Sequence, residues 1–186
     1  MTKQELRKQI AAEVKALSSD YCARADAAIC AAVRGSDLYK KAQTIFCYIG
    51  TEREIDTKAL LLAALADGKR LALPLCVGKG IMEAREIRSL DDLVNGKFDI
   101  PAPAESCPLV APEKFDLVIV PCSTGNDKGQ RLGYGGGFYD RYLGRTVGPK
   151  MLLCRKALVK DDIPVEEHDL IMDYLVTEDG LHDCKR

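Results

Sequence analysis

Thr44-Ile-Phe-Cys-Tyr-Ile49 is β-branched or aromatic almost throughout, the composition of a buried strand. Gly50-Thr-Glu-Arg-Glu-Ile-Asp-Thr57 leads from it into a helix over Lys58 to Asp67, with Asp56 or Thr57 as N-cap and Gly68 just past the end. Arg70 to Pro74 is a second short strand. Strand, helix and strand with such short joints make a βαβ unit, so the strands run parallel and helices cover the sheet.

Outward from this unit the same pattern recurs. Phe115-Asp-Leu-Val-Ile-Val120 is an apolar run closed by Pro121, as in a central parallel strand. Lys150 to Cys154 and Tyr174 to Thr177 supply two further short strands, the second being the last expected in the chain. Towards the N-terminus, Leu6, Ile10, Val14 and Leu17 fall at spacings of four, four and three, which predicts an amphipathic helix over residues 2–17. A second helix spans about Asp20 to Arg34, with Tyr21, Ile29 and Val33 on its apolar side and Gly35 at its end. Residues 75–112 read as irregular, with Ile81 to Ile87 as a candidate strand, Leu90 to Val94 as a helical turn, and prolines at 101, 103, 108 and 112 marking an extended connection. From Pro121 to Gly137 no regular element is expected. A loop of that length after a buried strand is usually a functional one.

At 186 residues the chain is read as one domain, residues 1–186, large enough to bury a core. Its 27 basic and 28 acidic residues nearly cancel, so no global field favours nucleic acid or an anionic membrane. The longest apolar run, Ala59 to Ala66, is too short to span a bilayer, and the first residues lack the apolar core of a signal peptide. A cytoplasmic location is therefore expected. The eight cysteines are scattered without a Cys-x-x-Cys pair, and the chain has two histidines, a composition that disfavours structural zinc. Most of the thiols read as small buried hydrophobes; Cys122 is the candidate nucleophile among them, with no histidine near it in sequence.

The stretch most suggestive of chemistry is Arg131-Leu-Gly-Tyr-Gly-Gly-Gly-Phe-Tyr-Asp-Arg-Tyr-Leu143. Four glycines within five residues let the backbone take positive φ and lie against a ligand. Phe138, Tyr139, Tyr142 and Leu143 follow at helical spacing as one apolar stripe, leaving Asp140 and Arg141 on another face. Backbone N–H groups of such a loop, feeding a helix start, attract phosphate. A dinucleotide fingerprint from Gly133 would need Gly or Ala where Phe138 stands, and a P-loop needs Gly-Lys followed by Ser or Thr. This is a different glycine loop, flanked by Arg131, Tyr139, Asp140 and Arg141.

Five other positions carry two readings each. Lys3 and Arg7, one turn apart, form either a solvated basic face or a clamp that needs an anion between like charges. Glu54 follows the first strand at its carboxyl end, where open α/β sheets bind ligands, but a helix-start carboxylate is also favoured by the dipole. Asp169 is either a loop residue or, with Asp140, part of a hard-cation site. His168 is a candidate base or a solvated loop residue.

The glycine stretch resembles the signature of the 5-formyltetrahydrofolate cyclo-ligase (methenyltetrahydrofolate synthetase) family, and the resemblance covers essentially the whole chain. Lys3 with Arg7, Glu54-Ile-Asp-Thr57 and Pro164-Val-Glu-Glu-His-Asp169 match in the family's order. The resemblance implies an α/β fold, a Rossmann-like three-layer sandwich around a mostly parallel central sheet. It implies an ATP- and magnesium-dependent closure of 5-formyltetrahydrofolate to the 5,10-methenyl form through a phosphorylated formyl group. By the same resemblance Lys3, Arg7 and Arg131 would bind ATP and carry the catalysis. The ATP site would continue through Leu132, Gly133, Tyr134, Gly135, Gly136, Gly137, Phe138 and Tyr139. Ile49 and Glu54 would line the folate site, residues Tyr134 to Phe138 would serve both ligands, and Asp140 and Asp169 would bind magnesium. The expected partners are the reduced folate and the nucleotide, taken by a monomer.

There are two departures. Cys122-Ser-Thr-Gly125 stands where the family often has Gly-Val-Ala-Phe, and Phe138 replaces the more usual tyrosine. The altered wall leaves a rival reading, a binding module that kept the fold without ligase activity. A phosphosugar isomerase or acyl-CoA enzyme on a related scaffold is a third.

Overall fold

The computed structural model describes residues 1–185, the side chain of Phe98 excepted. Helices α1 (Lys3–Ala16), α2 (Ser19–Gly35) and α3 (Asp37–Lys41) open the chain. α1 begins at a reciprocal cap: Glu5 N–H donates to Thr2 Oγ1 (3.1 Å), and Thr2 N–H donates to the Glu5 carboxylate (2.8 Å). The boundary after α2 is made by Ser36 rather than by Gly35. The Ser36 hydroxyl donates to the Val33 carbonyl (2.6 Å) and accepts from Tyr39 N–H (3.2 Å), so one residue closes α2 and caps α3.

The βαβ unit is present as β1 (Thr44–Phe46), α4 (Lys58–Ala66) and β2 (Arg70–Gly78), with β1 and β2 parallel. β1 is shorter than the expected 44–49. Past Cys47, whose N–H still reaches the Ala72 carbonyl (3.1 Å), the chain turns to let Thr57 Oγ1 donate to the Tyr48 carbonyl (2.6 Å). Thr57 is the N-cap residue of α4, but with its hydroxyl engaged there it caps no N–H of the helix; Asp56 beside it accepts from Lys58 N–H at 3.0 Å.

Residues 75–112 are more ordered than the proline pattern implies. β2 continues through Pro74 and pairs antiparallel with β3 (Ile81–Ile87). Proline is tolerated because β1 pairs only as far as Ala72, leaving the rest of β2 with a neighbour on one side. The expected helical turn is a 3₁₀ turn at Leu90–Asp92, followed by β4 (Leu93–Asn95), which pairs with β5 (Pro101–Pro103). Then come β6 (Leu117–Val120), a two-residue hairpin of β7 (Thr124–Gly125) and β8 (Arg131–Leu132), and α5 (Phe138–Leu143). That hairpin lies inside the stretch expected to be without structure. β9 (Lys150–Leu153) and β10 (Tyr174–Thr177) follow, and β11 (Gly180–Asp183), beyond the last expected strand, turns back on β10.

The main sheet has seven strands in the order β11-β10-β9-β6-β1-β2-β3. Strands β10, β9, β6, β1 and β2 are mutually parallel, and β3 and β11 are antiparallel edges. Side chains alternate between two cores, as the two-residue strand period requires. Ile45, Leu71, Leu73, Leu117, Ile119, Met151, Leu153 and Val176 meet Ile29 and Val33 of α2 and Leu60 and Leu61 of α4. Phe46, Ala72, Val118, Val120, Leu152 and Leu175 face the other way, against Tyr142 and Leu143 of α5 and Val14 of α1. Helices thus cover both sheet faces, giving three layers. No helix among the described residues is long and apolar enough to cross a membrane.

Phe46 joins the sheet to the glycine helix. It is fully buried, with ring centroids of Phe115, Tyr142 and Tyr139 at 5.6, 5.6 and 6.1 Å. Truncating it removes a large buried area and three ring contacts, so Phe46→Ala is expected to cost about 3–5 kcal/mol. Urea unfolding checks this: the midpoint should fall with little change in slope, and a midpoint near wild type would contradict the central placement of this ring.

Candidate functional site

β1 and β6 lie side by side, pairing Ile45 with Leu117 and Phe46 with Val118. The chain leaves β1 through α4 towards β2, and leaves β6 through α5 towards β9 on the opposite side. Between the two carboxyl ends the strand order reverses, the position at which open α/β sheets receive ligands in a crevice between the flanking loops. Residues 47–57 form one wall of it and residues 121–137 the other.

The second wall is a built structure. Asn126 ties the hairpin: its Oδ1 accepts from Lys128 N–H (3.1 Å) and Gln130 N–H (3.2 Å), and its Nδ2 donates to Gln130 Oε1 (2.7 Å) and the Lys160 carbonyl (3.2 Å). Thr124 Oγ1 donates to the Leu158 carbonyl at 2.6 Å. Leu132 is buried with Leu6, Ile10 and Ile163, locking β8 to α1. From this anchor the ribbon Gly133 to Gly137 runs outward, and Tyr134, Gly135 and Gly136 are exposed. Gly135 (φ 99°) and Gly137 (φ 72°) take left-handed backbone, which side chains would oppose. Gly137 is the N-cap of α5 and offers no side chain to its N–H groups. Phe138 and Tyr139 pack half-buried against the core, so the apolar stripe read from the sequence is the one the helix buries.

Arg131 is the centre of this wall. Its side chain is 5% exposed; Nε donates to the Pro121 carbonyl (2.7 Å), and the guanidinium stacks 5.1 Å from the centroid of the Tyr139 ring. Nη1 lies 3.5 Å from Asp140 Oδ1, whose carboxylate is half in solvent. Three contacts on different sides fix the plane of the guanidinium at the foot of the ribbon.

α1 brings Lys3 and Arg7 to the same place, since Leu6 and Ile10 seat it on Leu132. Arg7 Nε donates to the Gly133 carbonyl at 2.8 Å, and Arg7 has no carboxylate partner among the described residues. Lys3 Nζ sits 2.6 Å from Asp169 Oδ2 and 3.7 Å from Glu166 Oε1. Burial raises the Asp169 carboxyl, but hydrogen bonds from Lys3 and Glu166 N–H and the Lys3 charge together hold it below the usual carboxylate range. Asp140 and Asp169 therefore each face a cation of the set. Glu166, His168 and Asp169 offer ligand atoms within 4.8 Å of one another, a carboxylate–imidazole group able to share one ion. Arg7, Arg131 and the ribbon backbone are donors of the kind that hold phosphate.

Across the crevice, Glu54 is half-buried, with Oε1 accepting from Thr51 N–H at 3.1 Å. Burial pushes its carboxyl above the ordinary value; Thr51 and the Arg131 charge draw it partly back. Ile49 packs half-buried against the core of the α2 and α4 face. Tyr134 reaches over to the wall, its hydroxyl donating to the Cys122 carbonyl at 2.8 Å. The Cys122 thiol donates to the Leu153 carbonyl (3.3 Å), and its contact with Cys154 and its burial both push its titration upward. That is the reverse of what a nucleophilic cysteine needs. His168 is 70% exposed, 3.1 Å from Glu166 Oε2, as its solvated reading implies.

Sequence reasoning passed over Glu166, which shares Lys3 with Asp169. It also passed over Asp26 and Arg155, a buried pair behind Glu54. Asp26 had left a signal: it stands in line with Ile29, Cys30 and Val33 at helical spacing, a charge inside an apolar stripe.

A model described as the 5-formyltetrahydrofolate cyclo-ligase family matches residues 1–178. The structure is similar to an NMR structure of an Aquifex aeolicus 5,10-methenyltetrahydrofolate synthetase. The TM-score is 0.90 at 30% identity, covering 100% of this chain and 94% of that one. A synthetase from Mycoplasma pneumoniae, 21% identical with a TM-score of 0.78, shares the fold over 96% of this chain and 99% of its own. A Saccharomyces cerevisiae 5-formyltetrahydrofolate cyclo-ligase is 28% identical over 96% of each chain. A family match across nearly all the chain, with a 30%-identical structure overlying it end to end, makes this protein a member of the 5-formyltetrahydrofolate cyclo-ligase family.

Proposed function

We propose that this protein closes 5-formyltetrahydrofolate to 5,10-methenyltetrahydrofolate, using ATP as co-substrate. Family membership supports the reaction. The observation that carries the site assignment is Arg131, a buried and fully oriented guanidinium at the foot of an exposed glycine ribbon, facing Glu54 across the sheet's switch point. Asp140 and Asp169 are the carboxylates that would hold a magnesium ion, which would supply charge neutralisation on the phosphates when bound.

The chemical obstacle is the formyl oxygen, an amide oxygen that leaves poorly. In the proposed sequence that oxygen attacks the terminal phosphorus of ATP. A new O–P bond forms, the bond to the bridging oxygen breaks, and ADP departs. The formyl carbon is then an iminium bearing phosphate. The neighbouring folate amine attacks it and loses its proton to solvent, and phosphate leaves with the C–O bonding electrons as the ring closes. Such transfer depends on orientation and on charge placed in advance. Arg131 and Arg7 hold the transferring group, with Lys3 joining from Asp169; the ribbon N–H groups line the phosphates. Glu54 accepts from pterin N–H donors and so sets the formyl group against them.

Arg131→Ala is expected to lower turnover by about 10²- to 10³-fold while the protein stays folded. Asp140→Asn should lower it comparably and raise the magnesium concentration needed for half-maximal rate. Both are read from the ultraviolet absorbance of the methenyl product together with ADP release. Near-wild-type rates would remove these residues from the mechanism. A wild-type chain that binds folate and nucleotide yet makes neither product would be the binding module instead, and indifference to ATP would point to isomerase chemistry.

Glu54 gives a pH-dependent expectation. Its folded-state titration lies above that of the unfolded chain, so both states are protonated, and no penalty exists, below about pH 4. As pH rises through the folded value, the native state must ionise a half-buried acid and loses stability relative to the unfolded chain. Glu54→Gln should therefore match wild type in melting temperature at low pH, exceed it at pH 7.5, and bind the folate more weakly. An equal offset at both pH values would refute this account of the acid.

A further inference from the structure

Asp26 and Arg155 are 7% and 4% exposed, far apart in sequence, and joined by two parallel hydrogen bonds: Nε to Oδ1 at 2.8 Å and Nη2 to Oδ2 at 2.9 Å. Each partner makes one more bond, and both of those go to the same three residues. Arg155 Nη2 donates to the Glu54 carbonyl at 3.1 Å, and Asp56 N–H donates to Asp26 Oδ2 at 3.0 Å. The pair therefore grips Glu54-Ile55-Asp56 from both ends of its main chain. Thr57 closes the segment from below: it accepts from Gly50 N–H at 3.2 Å and donates to the Tyr48 carbonyl at 2.6 Å. Within 50–57 there is no helix or strand to fix the backbone otherwise.

Two charges withdrawn from water gain little stability over apolar side chains of the same volume. What such a pair does supply is a fixed geometry at the β1–α4 loop, contributed by Asp26 from α2 and by Arg155 from the segment that follows β9. We propose that Asp26 and Arg155 are positioning residues that set the main chain of Glu54, and through it the place where the pterin is accepted. The side chains of the pair reach the folate side of the crevice, whereas the side chains that hold the ribbon and the Arg7–Arg131 set are those of Asn126, Leu132 and Arg131 itself, on the Pro121 carbonyl. This rests on the cyclo-ligase reading given above.

Three variants test it: Asp26→Asn, Arg155→Lys, and the paired Asp26→Leu with Arg155→Met. Asparagine keeps the shape without the charge. Lysine keeps the charge but not the fork that reaches Asp26 and Glu54 together. The apolar pair keeps the packing and leaves no uncompensated ion. The expected result is a KM for 5-formyltetrahydrofolate at least about tenfold higher, with the KM for ATP unchanged and the melting temperature of the apolar pair close to wild type. A purely structural role would shift melting temperature and leave the two KM values in their original ratio. Any folded variant with wild-type folate KM overturns the proposal. One measurement needs no variant: the Asp56 amide of the wild-type protein should exchange slowly with solvent deuterium, and exchange at the rate of an open loop also overturns it. A wild-type protein that forms no methenyl product defeats the cyclo-ligase reading itself, whereas an active one with unaffected variants defeats only the positioning role.

Discussion

Everything in this molecule that resembles a site follows from the pairing of β1 with β6. Two parallel strands whose chains depart in opposite directions cannot have their following loops cross the same side of the sheet. One loop goes to α4 over one face, the other to α5 over the opposite face, and the gap between them stays open. The glycine ribbon and the Glu54 loop are brought together by this arrangement, although 76 residues of chain lie between Glu54 and Arg131. Phe46, at the last ladder position of β1, then carries the ring cluster under α5 that keeps the ribbon's far end seated.

The electrostatics of the crevice are those of a surface prepared for a ligand of opposite sign. Lys3 leans on Asp169, Arg131 on Asp140, and Arg7 on a main-chain carbonyl. Each cation is oriented by a neighbour without being enclosed by it, so little has to be rearranged when an anion arrives. Across the gap Glu54 is held as a reluctant acid by burial. A half-buried carboxyl with a raised titration is costly to stability and suits recognition of N–H donors, the usual tension at a binding surface.

The parts of the fold that sequence pattern disclosed are those dictated by neighbours along the chain. The apolar run at 117–120, the period of α1 and the stripe Phe138–Tyr139–Tyr142–Leu143 all express local periodicity, and the structure buries the faces they predict. The parts that stayed hidden depend on partners elsewhere. Strand β2 outlasts Pro74 because β1 has stopped beside it, and the β7–β8 hairpin exists because Asn126 finds carbonyls on the segment near Lys160. β11 has little apolar pattern of its own and is a strand because β10 offers it an edge.

The same division holds for the site. Residue types and spacing mark the glycine ribbon, Arg131, the Lys3–Arg7 face, Glu54 and the two aspartates as candidates, with a structural alternative at Lys3–Arg7, Glu54 and Asp169, because donors for phosphate and hard oxygen ligands are properties of side chains and short segments. They were also enough, through resemblance, to place the chain in its family. Only the folded molecule decided which acid faces which base, that Glu166 joins Lys3, and that Asp26 and Arg155 hold the backbone of Glu54 from behind. Pairings of that kind are fixed by distance in space, and a sequence records order along a chain; Asp26 and Arg155 are 129 positions apart, and the strand order of the sheet is what brings them to 2.8 Å.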